Sequence, residues 1–475
     1  MSLYLSSGTT NFKRNNMTVF YIMAILFVIG VILIALEDIV KINKAAVAVG
    51  MCILLWLLTI LSAGGVFTEH PPHFFNNFIA GFPKFAALSY SDQVTRFLEV
   101  AITESLGDVA TTLFFVLASM AIIEVLDSHG SFSVITRQIK SNSKRKLLWI
   151  FSFITFFMSA LLGNLATVIV MIAVLNKIVP EKKDKLIYAC MTIVSANAGG
   201  SWSPIGDVTT LLLWTGGNVS AVHQISHVLL PALAMMIVPL SISTFMFKKG
   251  ENITERPTSL GETLPTYITP KLQTTLLIIG LLSLALVPVL QSSFDLPPFM
   301  GVLLGLVVLW IITDLKSARS NDPNAVKLKV STLFGKLDIS TIFFFLGILM
   351  SVKALDTIGI LTIMSEGLNT LFANENMIAF LLGICSSFLD NVALVAATMG
   401  MYPLAETGAF MADSSFWTFL AYCCVTGGSI LIIGSASGVT VMGMEKISFG
   451  YYLKKFSPII LLGYVIGAII FLLLF

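Results

Sequence analysis

The sequence predicts an all-α protein that crosses the membrane many times and contains two inverted-topology repeats. Three observations predict this class: a very apolar composition, apolar runs of membrane-spanning length, and an internal repeat. Of the 475 residues, 56% are hydrophobic and 11% are charged, and the mean hydropathy is +0.91. A soluble domain typically carries about 25% charged residues, so we expect this chain to lie in a lipid bilayer. Its net charge of +2 gives no support for a nucleic-acid partner.

Apolar runs of about 20 residues are long enough to cross the hydrocarbon core of a membrane as helices. A polar N-terminal tail at 1–17 precedes the first of these runs, and a polar linker at 248–271 separates two groups of them. Single crossings are predicted near 18–39, 44–62, 106–126, 225–247, 272–290, 296–314, 339–356 and 456–475.

Four longer apolar regions are interrupted by polar or helix-breaking residues. The regions 147–180 and 376–402 each hold two runs joined at a short turn, LLGNLAT or FLDNVAL, and we expect re-entrant hairpins there. The regions 185–217 and 416–444 are interrupted at NAGGSWSPIGD and TGGSILIIGSASG, so we expect helices that break inside the membrane.

The distribution of lysine and arginine predicts which loops share a face of the membrane. If both hairpins return to the side they left, one face holds 22 of the 28 basic residues and the other holds 4. Cytoplasmic loops carry the excess of basic residues. The large basic loops, including the linker at 248–271, are therefore predicted to be cytoplasmic.

An internal repeat relates the two halves of the chain, 18–247 and 272–475. Each half is predicted to have five crossings, one hairpin and one broken helix; five is odd, so the halves are inverted relative to each other. This architecture is typical of secondary transporters, which bind their substrates near broken helices at the midplane. Three segment pairs match at offsets of 227 to 229 residues: FFVLASMAIIEVLDSHG with FFFLGILMSVKALDTIG, SALLGNLA with SSFLDNVA, and GGSWSPIG with GGSILIIG.

The first broken helix contains ANAGGSWSPIGDVTT, which combines helix breakers with an aspartate in an apolar region. Gly199, Gly200 and Pro204 are expected to unwind the helix and free backbone carbonyls. Asp207 adds a carboxylate that can hold either a proton or a hard cation. Charged groups at this depth are rare and usually functional. Competition between proton and cation for one carboxylate, with alternating access, would constitute antiport.

The hairpin turns contribute a second group of polar residues, which includes Asp390 and the amides of Asn164 and Asn391. Cation and proton binding are predicted at Asp207, Asp390, Asn164, Asn391, Asn197, Thr209, Thr210, Ser429 and Ser435, with sodium at Asp207 and Asp390. Supporting charges are predicted at Glu104, Asp108, Glu124, Lys353 and Asp356. Lys353 is expected either to serve as the counter-charge of Asp390 or Asp207 or to extend towards water.

Four segments of the sequence together resemble the NhaD-type sodium/proton antiporters of bacteria and plant chloroplasts. They are SANAGGSWSPIGDVTTLLLW, FFLGILMSVKALDTIG, DNVALVAATMGMY and TGGSILIIGSASGVTVMGMEK, and the resemblance extends from about Glu99 to the C-terminus. The larger ion transporter superfamily also includes sodium-coupled carriers of divalent anions. The resemblance implies a homodimer, a scaffold domain and a mobile transport domain that moves like an elevator. It further implies exchange of sodium or lithium for protons at Asp207 and Asp390, without a resident cofactor, in the bacterial inner membrane.

The sequence departs from the family pattern at the hairpins. Gly163 stands where the family has an aspartate, Ala166 where a threonine is usual, and Ala393 where a proline is common. Lys353 occupies a position associated with a neutral residue. These differences leave open a sodium-coupled anion or dicarboxylate carrier as the alternative function. A membrane enzyme is not expected, because Pro204 replaces the first glycine of the Gly-x-Gly-Asp motif of intramembrane aspartyl proteases.

Overall fold

The computed structural model describes residues 3–69, 72–81, 83–136, 141–253, 265, 267–294, 296–320, 322–372 and 374–475. Over these residues the chain is helical, and its β-structure is limited to two isolated bridges, Ser143 with Asn252 and Ala405 with Met411. The predicted all-α class is therefore confirmed.

Within this described part, eight helices are long and apolar enough to cross a membrane, or nine if Ile360–Leu371 and Glu375–Cys385 form one bent span. The eight are Lys44–Thr68, Tyr90–Ser128, Lys144–Leu162, Ala221–Thr244, Pro270–Phe294, Pro298–Ala318, Ile339–Thr357 and Ser457–Leu474. The chain starts with the helix Leu3–Ala35, whose apolar part is Thr18–Ile34. The protein is therefore an integral membrane protein.

Shorter helices complete the fold. Six helices lie in the regions where hairpins and broken helices are predicted: Asn164–Ile178, Lys182–Ser201, Val208–Thr215, Asn391–Met401, Ser415–Gly427 and Ala436–Glu445. The connecting helices are Glu37–Val40, His73–Gly81, Pro83–Ala86, Ser133–Thr136, Pro323–Leu328, Val330–Leu333, Phe334–Lys336 and Phe449–Lys455.

The chain divides into two compact units. Unit 1 comprises Met1–Leu113, Ile339–Asn374 and Ala396–Pro403, and unit 2 comprises Phe114–Asp338, Glu375–Val395 and Leu404–Phe475. In unit 1, the helix that begins at Lys44 packs on Ile339–Thr357. Trp56 Nε1 donates to the carbonyl of Met350 at 3.0 Å, and Gly347 lies directly against the backbone of Ala48.

Unit 2 contains two similar helix pairs. Lys144–Leu162 packs on Lys182–Ser201, and Glu375–Cys385 packs on Ser415–Gly427. In the first pair Ser159 Oγ donates to the carbonyl of Ala196 at 2.6 Å, and in the second Ser386 Oγ donates to the carbonyl of Cys424 at 2.6 Å. These contacts recur at the offset of 227 to 228 residues found in the sequence.

The glycines of the first broken helix do not unwind it as predicted. The helix Lys182–Ser201 continues through Gly199 and Gly200, and the break falls at 202–207. A Cβ on Gly199 would lie 2.8 Å from the carbonyl carbon of Phe156, so the absence of a side chain allows two backbones to touch. Gly427 meets the backbone of Gly383 in the same way, with a carbonyl carbon 2.7 Å from its would-be Cβ.

Candidate functional site

The first broken helix resumes at Val208, and Asp207 is the residue that caps it. Asp207 has an extended backbone, with φ −148° and ψ 151°, and its Oδ1 accepts from the backbone N–H of Thr209 at 2.7 Å. The backbone N–H of Asp207 in turn donates to Thr210 Oγ1 at 3.2 Å, which completes a capping box. The carboxylate is 5% exposed and lies at the positive end of the helix dipole. The fold thus holds one buried carboxylate in a fixed orientation.

Amide groups from both predicted hairpin turns approach this carboxylate. Asn164 Nδ2 donates to Asp207 Oδ2 and, at 3.2 Å, to Asn197 Oδ1. Asn391 Nδ2 lies 3.5 Å from Asp207 Oδ1. The backbone N–H of Asn164 also donates to the carbonyl of Gly206 at 3.1 Å, which fixes the hairpin turn to the broken helix.

The turn before Asn164 explains a departure from the family pattern. Gly163 has φ +82°, a conformation that residues with a side chain rarely adopt. The nearest atom to a Cβ placed there would be Gly206 O at 3.9 Å, so the limitation is the backbone conformation rather than space. An aspartate at this position would have to change the turn.

A second carboxylate, Asp390, lies at the start of Asn391–Met401. Its Oδ1 accepts from the backbone N–H groups of Val392 at 3.0 Å and Ala393 at 3.2 Å. Asp390 directly precedes Asn391, whose Nδ2 lies 3.5 Å from Asp207 Oδ1, so both aspartates belong to the same polar group. Like charges that come close together are stabilised when a cation or a proton compensates one of them.

The second broken helix joins the same group of polar residues through Asn197. Ser435 caps Ala436–Glu445, and its Oγ accepts from the N–H of Gly438 at 3.1 Å. Asn197 Nδ2 donates to Ser429 Oγ at 2.9 Å and to Ser435 Oγ at 3.0 Å. Ser435 has nearly the same cap geometry as Asp207, from which it is separated by the repeat offset of 228 residues.

One member of this group, Ser437, was missed by the sequence analysis. Its Oγ donates to Asn197 Oδ1 at 2.7 Å, and the residue is fully buried. The internal repeat contained the signal that could have found it, because Ser437 stands at the position equivalent to Thr209.

Three of the predicted supporting charges form ion pairs with residues other than Asp207 and Asp390. Lys353 was expected either to be the counter-charge of Asp207 or Asp390 or to extend towards water, and its Nζ lies 3.0 Å from Asp108 Oδ2, with the two side chains 38% and 67% exposed. Glu124 Oε1 lies 3.4 Å from Lys336 Nζ. Glu104 is exposed and Asp356 is half-buried. Glu104, Asp108, Lys353 and Asp356 belong to unit 1, whereas the polar group around Asp207 lies entirely in unit 2.

The oxygen atoms of this group suit a hard cation, which prefers carboxylate, amide and hydroxyl ligands. The described residues contain no group of three or more His, Cys, Asp and Glu side chains that could hold a metal ion. The other oxygens close to Asp207 belong to amides, hydroxyls and backbone carbonyls.

Helical spans that break beside a buried carboxylate are typical of secondary transporters. A family model described as a citrate transporter, CitMHS, matches residues 25–418. Sodium/proton antiporter 2 of Arabidopsis thaliana is 34% identical over 451 residues, which cover 95% of this chain and 98% of that protein. Sodium/proton antiporter 1 of the same plant is 35% identical over 446 residues, covering 94% and 71%. The Na(+)/H(+) antiporter NhaD of Vibrio cholerae serotype O1 is 30% identical over 423 residues, covering 82% and 84%.

The chain belongs to the CitMHS transporter family and, within it, to the NhaD-type sodium/proton antiporters. The family predicted from the four sequence segments is therefore confirmed.

Proposed function

We propose that this protein exchanges Na⁺ or Li⁺ for H⁺ across the membrane and that both ions bind at Asp207. The observation that carries the proposal is the buried Asp207 carboxylate, held at a helix start and approached by amides from two hairpins. A proton and a small cation compete for such a group. The names of the relatives, which are sodium/proton antiporters, support the same conclusion.

Asp390 is the second ion-binding carboxylate in this proposal. Na⁺ or Li⁺ lies between Asp207 and Asp390 and relieves the repulsion between them. Further oxygens come from Thr209, Thr210 and Ser429, while the amides of Asn164 and Asn391 orient the Asp207 carboxylate. Sodium, lithium and protons are the substrates, and the proposed mechanism needs no resident cofactor.

Transport follows an elevator-type alternating-access cycle in which the site moves with its own domain. Support comes from the location of all polar residues around Asp207 in unit 2. We further propose that 18–247 and 272–475 are inverted repeats, with re-entrant hairpins at 147–180 and 376–402. The recurrence of the Ser159 and Ser386 hydrogen bonds supports the repeat. A homodimer in a bacterial inner membrane, with the large basic loops in the cytoplasm, completes the proposal.

The alternative, a sodium-coupled carrier of dicarboxylates, rests on the description of the family model and on the glycine at position 163. The two carboxylates disfavour it, because an anion would have to approach Asp207 and Asp390. The ammonium of Lys353, which could attract an anion, is engaged with Asp108.

The test is proton movement in everted vesicles of a bacterium that lacks its own sodium/proton antiporters. Sodium or lithium should collapse a respiratory pH gradient when the wild-type chain is present. Asp207→Asn and Asp390→Asn should reduce this response to that of empty vesicles, since each removes a charge that the cation needs. Asp92→Asn, which changes an exposed carboxylate of unit 1, is the matched control.

Two results would overturn the proposal. One is a wild-type chain that is present in the vesicles and moves no protons with sodium or lithium. The other is full exchange by Asp207→Asn. Sodium-dependent uptake of a labelled dicarboxylate in place of proton exchange would establish the carrier alternative.

A further inference from the structure

Asn197, Ser435 and Ser437 form a closed ring of hydrogen bonds between the two broken helices. Asn197 Nδ2 lies 3.0 Å from Ser435 Oγ, Ser435 Oγ lies 2.9 Å from Ser437 Oγ, and Ser437 Oγ lies 2.7 Å from Asn197 Oδ1. Asn197 and Ser437 are fully buried, and Ser435 is 5% exposed. The ring joins residues 238 and 240 positions apart in the chain, so it connects the two halves directly.

The direction of every hydrogen bond in the ring follows from the residues around Asn164. The ionised carboxylate of Asp207 only accepts, and the N–H of Leu165 donates to Asn164 Oδ1 at 2.7 Å, so Asn164 turns its Nδ2 towards Asp207 and Asn197. Asn197 must then present its Oδ1 to Asn164 and its Nδ2 to the serines.

The hydroxyl protons are fixed by the same argument. A serine hydroxyl has one proton and two lone pairs. Ser437 gives its proton to Asn197 Oδ1, so Ser435 is the donor between the two serines. Ser435 also accepts from Asn197 Nδ2 and from the N–H of Gly438. Its hydrogen-bonding capacity is therefore fully used.

The hydrogen-bonding capacity of the Asn197 side chain is also fully used. Its two N–H groups donate to Ser429 and Ser435, and its carbonyl oxygen accepts from Asn164 and Ser437. An amide has two donors and two lone pairs. A cation could be bound by Asn197 or Ser435 only if a ring bond broke inside an apolar core, where an unpaired polar group is costly.

We propose that this ring positions Asn164 against Asp207 and that Asn197 and Ser435, predicted from the sequence as cation ligands, are positioning residues instead. The inference rests on the proposed exchange at Asp207. Ser437 holds the carbonyl of Asn197 in place, this carbonyl holds the amide of Asn164, and Asn164 reaches the carboxylate that takes the cation. Ser437 itself touches neither Asn164 nor Asp207 by any described hydrogen bond.

The first test is the sodium dependence of exchange by Ser437→Ala. This change opens the ring without removing a predicted ligand, and it should raise the apparent KM for sodium roughly fivefold, the equivalent of about one net hydrogen bond. The maximal rate should stay within about twofold of wild type, since the carboxylates remain. Ser437→Thr retains the hydroxyl and should restore the wild-type KM.

The matched control is Ser195→Ala. Ser195 is a fully buried serine on the same helix as Asn197, and its Oγ has no hydrogen-bond partner among the described residues. Its removal should leave the KM for sodium unchanged. An unchanged KM in correctly folded Ser437→Ala, or an equal rise in Ser195→Ala, would overturn the proposal.

A second measurement does not depend on transport. The melting temperatures of Ser437→Ala, Asn164→Ala and the double variant should be non-additive, with the double variant losing less than the sum. Once Asn164 is removed, the carbonyl of Asn197 no longer has an amide to orient, and contacts within one network couple in this way. Additive losses would show that the ring does not act on Asn164. A wild-type chain that exchanges no sodium would refute the proposed function, while this cycle still decides the ring.

Discussion

The contact between Gly199 and Phe156 provides the sharpest test of how the site is assembled. In Gly199→Ala the new methyl group would lie 2.8 Å from the carbonyl carbon of Phe156 and 2.9 Å from its Cα, and the carbonyl oxygen is closer still. Ordinary van der Waals contact begins at 3.4 Å. Because both partners are backbone, neither can rotate away, and the two helices must separate by about 0.6 Å or more.

The expected cost combines two opposing effects. Alanine is favoured over glycine in a helix by about 1 kcal/mol, whereas overpacking of a tight core costs about 1–3 kcal/mol. The clash involves several backbone atoms, so we expect the upper end of that range and a net destabilisation of roughly 2 kcal/mol. Separation of the helices also moves Asn164 from Asp207, and a displacement of about 1 Å can reduce a rate by about a hundredfold.

The assay compares melting temperature and sodium/proton exchange for Gly199→Ala and Gly443→Ala. Gly443 lies within Ala436–Glu445 and has open space around its would-be Cβ, so this control should be neutral or stabilising. Gly199→Ala should melt several degrees below wild type and lose most of its exchange. If it melts at or above the wild-type temperature and exchanges normally, the close backbone contact does not assemble the site.

Three further predictions concern charges outside the site. Lys144→Met should lower the free energy of unfolding by about 3–5 kcal/mol, because the lysine is 4% exposed and its loss leaves Asp184, 2.6 Å away, buried and unpaired. Thermal unfolding measures this loss. Adding Asp184→Asn to the same chain should recover part of the lost stability. The hydrogen bond from Lys144 holds the pKa of Glu251 below its usual value, so the ionised Glu251 stabilises the fold above about pH 4.5 and this contribution is lost as the pH falls. Wild type should therefore lose more thermal stability between about pH 5 and pH 3 than Glu251→Gln. Equal losses would contradict the pairing. Asp413 has φ +59°, and its carboxylate accepts from the N–H of Ser220 at 2.5 Å. Because asparagine tolerates this backbone conformation, Asp413→Ala should increase proteolysis of the 403–414 loop more than Asp413→Asn. Equal cleavage of the two variants would show that the conformation of residue 413 does not matter for the loop.

Both helices that resume after an interruption begin at residues with strong local preferences. Asp207 and Ser435 are both helix caps, and short polar side chains at such positions favour a helix start. The all-α class and the membrane location followed from composition, since apolar runs of this length leave few alternatives.

The partners of individual side chains could not be predicted in the same way. Charge alone left Lys353 either as a counter-charge of Asp207 or Asp390 or as a side chain that extends towards water. Its partner, Asp108, lies on a helix that starts at Tyr90, well before the predicted span at 106–126. The sequence predicts helix breakers at Gly199 and Gly200, because it does not reveal where another backbone approaches. The importance of Ser437 depends on Asn197, 240 residues away, and local patterns carry no such information.

Asp207 is both a helix cap and the proposed ion ligand, so ion binding there should affect the stability of the helix that it caps. A proton or a cation that occupies the carboxylate weakens its bond to the N–H of Thr209 and its favourable interaction with the helix dipole. Under the proposed exchange, we expect each loading event to loosen the first turn of Val208–Thr215 and each release to tighten it. Hydrogen–deuterium exchange at the Thr209 amide would then report ion occupancy of Asp207. It would follow ion binding even in protein that is not transporting ions.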